Sequence, residues 1–241
     1  LIDLTNSPLP IQFMFRPPRQ LYTLLALAVI VSGNCFSQDT AGFDWLAGDH
    51  HIHSRYSVGW ERAANPSEEP TNPPAPIIGG DAIYPIHMNA LMAKYYGLSW
   101  IVATDHGGPN HSKLNLSRAY PELVQTRLVV PEVVQFYGME FDTPGADHSS
   151  LIIPFTEDEA EKLYNIESRF AKREPWPANS SWDTEPRMLE ALQAMNKLDN
   201  PPIIIANHPS RSAKELGVYG LDEPSEFRNW NDIAPTVALG M

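Results

Sequence analysis

The segment Asp49-His50-His51-Ile52-His53 places three imidazoles and a carboxylate in a short run whose neighbours suit a strand. Alternation along a strand points Asp49, His51 and His53 to one face, with His50 and Ile52 on the other. Two imidazoles two residues apart can reach one ion from the same side, and neutral imidazole is the commonest nitrogen ligand for zinc, iron and manganese. Taken alone, His-x-His also fits a surface accident or a hydrogen-bonded core pair, so the metal reading depends on what else the chain delivers. His50, on the opposite face, reads as structural.

Further candidates arrive at regular places. Ser99-Trp100-Ile101-Val102-Ala103 reads as a buried strand running into Thr104-Asp105-His106-Gly107-Gly108, and Val133 to Met139 as a strand ending in Glu140. The short loop Asp142 to Asp147 returns the chain through His148 into Leu151-Ile152-Ile153, and Ile203-Ile204-Ile205-Ala206 delivers Asn207-His208-Pro209. Between these runs, Met88, Leu91, Met92 and Tyr95 show helical spacing stopped by Gly97, and a helix covers part of Ser117 to Leu128. Asp183 or Thr184 caps another, with Pro186 in its first turn and Met188, Leu189, Leu192 and Met195 along one face. Strands alternating with helices, each strand ending in a ligand-type residue, predict an α/β protein with a βα barrel whose site lies at the strand carboxyl ends. His51, His53, His106, Glu140 and His208 fall at or just past such ends, and His148 just before a strand. Five imidazoles with one bridging carboxylate suit two or three borderline divalent ions. Clusters of that kind serve displacement at phosphorus, by acidifying water and clamping both oxygens.

Length and composition set the bounds. The 241 residues are 43% hydrophobic, enough for one domain with a real core plus a leader. A formal net charge of -12 excludes a nucleic-acid backbone as a standing partner. Arg16 and Arg19 precede the apolar run Leu21 to Val31, which is too short for a comfortable membrane span, and Cys35-Phe36-Ser37 supplies small residues for a cut before Gln38. Residues 1–37 therefore read as an upstream extension plus signal peptide with a start at Met14. Residues 38–241 form an exported domain with no membrane span. The single cysteine, Cys35, leaves with the leader, so core size or metal must stabilise the domain in place of disulfides. The Pro-rich stretch at about 58–79 reads as a long loop inserted into that domain.

Asp49-x-His51-x-His53-Ser54, Thr104-Asp105-His106-Gly107, Gly138-Met139-Glu140 with His148 following, and Asn207-His208-Pro209 resemble, in order, the first four motifs of the PHP (polymerase and histidinol phosphatase) superfamily. The resemblance spans about residues 44 to 241. It implies a distorted (β/α)7 barrel, a cluster of zinc, manganese or iron ions, and phosphoesterase activity on a small phosphorylated substrate. It also implies that His51, His53, His106, Glu140, His148 and His208 are metal ligands, with Asp49 and Asp105 orienting histidines from behind. The expected reaction is attack on phosphorus by a metal-activated water, with His51, His106 and His208 in the catalytic cluster.

The chain departs from that pattern in two places. The motif's acid is missing where Val58 stands, and Asp81, in Gly80-Asp81-Ala82 directly before the helix entry at Tyr84-Pro85, is the expected replacement. His87 is its rival, with a solvent-facing helix start as the plainer explanation. The family's final Asp-x-His is absent, and Val237 to Met241 reads as the next strand, so the barrel is expected to be incomplete at its carboxyl end and the chain to be part of a longer product. Arg211, three residues past His208, offers a bidentate fork to a phosphate. His111, Lys113 and Arg118 read as a solvated loop. Two other readings stand beside the phosphoesterase. An amidohydrolase also begins with His-x-His but uses a modified lysine, and no lysine falls at a predicted strand end. The third reading is a binding module that keeps the fold without turnover.

Overall fold

The computed structural model describes residues 44–61, 73–211, 213–215, 220 and 222–241. The chain divides into the units Leu1–Trp45 and Leu46–Met241, and the architecture is that of the second. The expected leader, with its start at Met14 and cut before Gln38, lies outside the described residues, as does the middle of the Pro-rich insertion, 62–72. No helix among the described residues is long and apolar enough to cross a membrane.

A mixed α/β half-barrel carries the site. Six strands form one curled sheet in the order β1 (Gly48–Ile52), β4 (Trp100–Ala103), β5 (Val134–Asp142), β6 (His148–Ile153), β7 (Ile203–Asn207) and β8 (Ala238–Gly240). β1, β4 and β5 are parallel, β6 runs against both of its neighbours, and β8 is parallel to β7. The curl is strong enough that His51 on β1 comes within 3.0 Å of Asn207 on β7, although three strands lie between them in the sheet. Outside this sheet, β2 (Gly59–Trp60) and β3 (Pro76–Ile77) make a short antiparallel ribbon within the Pro-rich stretch. Pro76 fits there because an edge strand does not need its missing N–H.

Helices cover the outer face. They are α1 (Ile86–Tyr95), α2 (His111–Leu114), α3 (Tyr120–Val129), α4 (Glu159–Phe170), α5 (Glu185–Asn196) and α6 (Pro224–Ile233), with a π-helical turn at Asn115–Ala119 joining α2 to α3. Tyr137, Met139, Phe141, Leu151, Ile153 and Ile204 alternate outward from the strands and bury themselves among Leu123, Leu163, Phe170, Met188 and Leu192 of the helices. Each such fully buried side chain contributes roughly 2 kcal/mol relative to exposure. Inward-facing positions are divided. Val102, Val134, Phe136, Ile152, Ile203 and Ile205 line an apolar hollow of about 680 Å³ at one end, while polar residues gather at the other.

Two expectations need correction. The alternation of strands and helices breaks at the β5–β6 hairpin, where Asp142 pairs with His148. Because β6 is reversed, its amino end meets the carboxyl ends of the others, which is why His148 precedes its strand yet reaches the same rim. Of the residues read as a solvated loop, Lys113 and Arg118 are exposed, though on helical turns, whereas His111 is a buried anchor. His111 is fully buried, its Nδ1 is 2.6 Å from Glu167 Oε1, and its Nε2 is 3.0 Å from the Tyr56 carbonyl. Glu167 also accepts from Asn115, and Glu174 accepts from Ser112, so the network ties the loop after β1 to α2 and α4.

Burial works to lower the His111 pKa, but the Glu167 carboxylate outweighs it and holds the group up at about 9. Raised above its ordinary value of about 6.5, His111 contributes stability that is complete below that pH and lost as pH climbs through the folded value. Unfolding of chelator-treated protein should therefore become easier between pH 6.5 and 9, by roughly 3 kcal/mol. His111→Gln should flatten that slope, and an unchanged slope in denaturant titrations of the variant would remove His111 as its source.

Candidate metal centre

The curled sheet brings six residues to one rim. His51 lies in β1, His53 just past it, His106 past β4, Glu140 in β5, His148 at the start of β6 and His208 directly after β7. The five imidazoles form a closed ring, with centroid separations of 4.8 Å for His51–His53, 4.6 Å for His53–His106, 5.0 Å for His106–His148, 5.8 Å for His148–His208 and 6.5 Å back to His51. Glu140 stands at the centre. Its Oε1 lies 3.0 Å from His208 Nε2, 3.5 Å from His148 Nδ1 and 3.6 Å from His51 Nε2. Its Oε2 lies 2.9 Å from His106 Nδ1 and 3.3 Å from His53 Nε2.

These atoms converge without satisfying one another. His106 Nδ1, His148 Nδ1 and Glu140 Oε2 are buried and have no aligned hydrogen-bond partner. An unpaired buried polar atom costs about 1–3 kcal/mol, and three in one spot are what a cation site requires of its donors. The sets His51/His53/Glu140, His53/Asp81/His106 and His106/Glu140/His148 each bring three donor atoms close enough to share an ion. The donors thus fit divalent metal, through nitrogen and carboxylate oxygen.

The electrostatics match that use. Burial alone would raise the Glu140 pKa, but the His106 and His53 imidazoles hold it well below the usual carboxylate range. Burial lowers His51 to about 4 despite the pull of Glu140, so this imidazole is neutral at pH 7 and keeps a lone pair for an ion. His53 is also pushed down by burial, yet Glu140 and Asp81 together leave it raised.

Polar residues behind the ring set its orientation. His51 Nδ1 lies 3.0 Å from Asn207 Nδ2 and 3.2 Å from Ser150 Oγ, which turns Nε2 to Glu140. Asp81 Oδ2 is 2.7 Å from His53 Nδ1 and 3.9 Å from His106 Nε2. Ser57 Oγ lies 3.0 Å from that same His53 nitrogen and accepts the His106 backbone N–H at 2.8 Å, coupling the loops after β1 and β4. Asp142 Oδ1 sits 3.4 Å from His148 Nε2 and takes Arg173 Nε at 2.6 Å. Gly107 is required there, because a Cβ would stand 2.5 Å from Asp142 Oδ2. Gly108, at φ +152, lies flat under the Trp60 indole of the β2–β3 ribbon.

All six expected ligands line this rim; His51, His53, His106, Glu140 and His148 fall with Asp81 into the three candidate ion sets, whereas His208 joins none of them and touches the cluster through Glu140. His87 stays half-exposed beside Glu122, 3.8 Å away. Val58, at the position of the missing acid, is core. Asp49 does not orient an imidazole; its Oδ1 accepts the His51 backbone N–H at 2.9 Å. Nor does Asp105, whose buried carboxylate takes the Ser54 N–H at 2.5 Å and the Ser54 hydroxyl at 2.8 Å, pinning the turn after β1. His50 is not turned away, because an irregularity between Asp49 and Ile52 breaks the alternation and leaves its Nδ1 3.1 Å from Ser150 Oγ. Arg211, expected to await an anion, is engaged by Asp147, with Nε 3.0 Å from Oδ2. Ser57, Asp142 and Asp147 were not singled out in sequence, although Asp142 shares a strand face with Glu140.

Neither a scan against protein-family models nor searches of curated proteins and solved structures find a match to the chain. The metal reading accordingly stands on the geometry. Glu140→Ala should remove most bound metal in equilibrium dialysis with elemental analysis, and Asp81→Ala should lower the content well beyond His87→Ala. Equal losses for Asp81 and His87 would take Asp81 out of the centre.

Proposed function

We propose that the chain is an exported, metal-dependent phosphoesterase of the PHP type, built on a distorted barrel and acting on a small phosphorylated substrate. The observation that carries this reading is the closed ring of five imidazoles around one buried carboxylate, with the two oxygens of Glu140 facing different sets of nitrogens. A carboxylate so placed suits two or three ions a few ångströms apart, and the mixed nitrogen and oxygen donors suit zinc, manganese or iron. Such ions supply Lewis acidity, lowering the pKa of water and offsetting charge on a phosphoryl group.

The chain's own residues hold that chemistry in place. Glu140 stays ionised across the physiological range and keeps both sides of the centre at fixed spacing. Neutral His51 needs no proton removed before it binds an ion. His51 and His208 are the more open members of the ring, with side chains 28% and 32% exposed, so the substrate approaches across their side of the rim. The amidohydrolase reading rests on a modified lysine, and the sequence sets no lysine at the strand ends that deliver His51, His106, Glu140 and His208.

Purified protein supplied with manganese or zinc should hydrolyse a generic aryl phosphate, lose the activity to a chelator, and regain it on adding metal back. His51→Ala and Glu140→Ala should each lower the rate by about 100-fold or more, because misplacing ligands by about 1 Å already costs that much. Hydrolysis that survives both substitutions would place the reaction elsewhere. Metal binding without turnover would favour the binding module.

A further inference from the structure

We infer that Asp147 and Arg211 form a latch that sets His208 for metal binding, which makes Arg211 a positioning residue and not an anion receptor. This rests on the metal centre proposed above. The register of the sheet creates the arrangement. His148 pairs with Asn207 across the antiparallel β6–β7 ladder, so one step further on Asp147 stands opposite His208. Asp147 Oδ2 lies 3.6 Å from His208 Nδ1, while His208 Nε2, the other ring nitrogen, is 3.0 Å from Glu140 Oε1. The imidazole therefore lies between two carboxylates, one at the centre and one behind, and the one behind also stands 3.4 Å from His148 Nδ1. A carboxylate behind a ligating histidine fixes its ring and its tautomer.

That position must be actively held. His208 has φ +34, a left-handed conformation that a residue with a side chain adopts only when its surroundings hold it there. The turn it begins closes when Arg211 donates its backbone N–H to the His208 carbonyl at 2.9 Å. The same turn swings the guanidinium back onto Asp147, Nε to Oδ2 at 3.0 Å and Nη2 to Oδ1. Asp147 is only 5% exposed, and Asp222 Oδ1 accepts its backbone N–H at 2.8 Å. A buried acid needs a countercharge, and a two-point guanidinium contact supplies charge and direction together.

The test uses cobalt(II) as the metal probe and three variants: Asp147→Asn, Arg211→Ala, and the swap that combines Asp147→Arg with Arg211→Asp. Asp147→Asn should weaken cobalt binding by about 10–100-fold and alter the visible spectrum of the bound ion. Arg211→Ala should move both in the same direction, while inorganic phosphate binds unchanged once cobalt is saturating. The swap should restore the melting temperature of the metal-free protein but not its cobalt affinity, because it rebuilds the tie without a carboxylate behind His208. Recovery of cobalt affinity along with melting would reduce the pair to a structural clasp. Unchanged cobalt binding with weakened phosphate binding in Arg211→Ala would restore the anion receptor. Because cobalt binding needs no turnover, a wild type that binds cobalt and hydrolyses nothing defeats the phosphoesterase alone.

Discussion

A carboxylate buried as deeply as Glu140 cannot stay ionised unless positive or hydrogen-bearing groups surround it, because removing a charge from water costs several kcal/mol even after the protein relaxes. Here the surroundings are five imidazoles from four separate segments of the chain, His51 and His53 sharing one. No local segment could supply them. The sheet must curl, β6 must run backwards, and the loops after β1, β4 and β7 must end at one level. Much of the architecture can be understood as the geometry that lets one glutamate keep its charge.

The inner face of the half-barrel shows how this demand is kept apart from the hydrophobic one. Along β5, Phe136 belongs to the apolar hollow and Glu140 to the ion cluster, with Gly138 between them. A Cβ on Gly138 would overlap the Leu151 carbonyl, so the strand can approach β6 closely there. On β6 the matching residue is Ser150, paired with Glu140 in register, and its hydroxyl donates to Asn207 Oδ1 at 2.9 Å. Small and hydroxyl side chains thus form the boundary between an end held by dispersion and an end held by charge.

What could be read from sequence followed from this division. Apolar runs that stop at a histidine or glutamate reveal both the strand and the ligand it delivers, so β4, β5, β7 and five imidazoles were legible. Helix α4 was passed over, although Leu163, Ile166 and Phe170 repeat at helical spacing on its buried face; what the sequence does not show is that Glu159 and Glu167 share that face, paired with Arg127 and His111. Helix α6 was passed over too, although Phe227, Trp230 and Ile233 repeat at helical spacing along it. It shows one buried residue, Trp230, and is started by local chemistry, with Pro224 in its first turn and Glu226 accepting the Glu223 backbone N–H. The irregularity in β1 defeated the assignment of His50 and Asp49, since one bulge cancels strand alternation. Asp105 was assigned to the histidines through the motif resemblance, whereas its partner is a turn brought beside it only by folding.

The carboxylates behind the ring are not equivalent, and the difference polarises the centre. Asp142 and Asp147 lie beside His148 and His208, are buried, and are each neutralised by an arginine, Arg173 and Arg211. Asp81 lies beside His53 and His106, is more than half exposed, and sits within 4 Å of both imidazoles. Negative charge is consequently cancelled on the β6–β7 side and retained on the side facing the β2–β3 ribbon. An ion between His53, Asp81 and His106 would meet an anionic ligand open to exchange with water, whereas ions nearer His148 and His208 would meet histidines held from behind by closed ion pairs. Ligand exchange would then be easiest at the edge next to the β2–β3 ribbon, where Asp81, shortly after β3, would tie the ribbon's placement to the candidate metal centre.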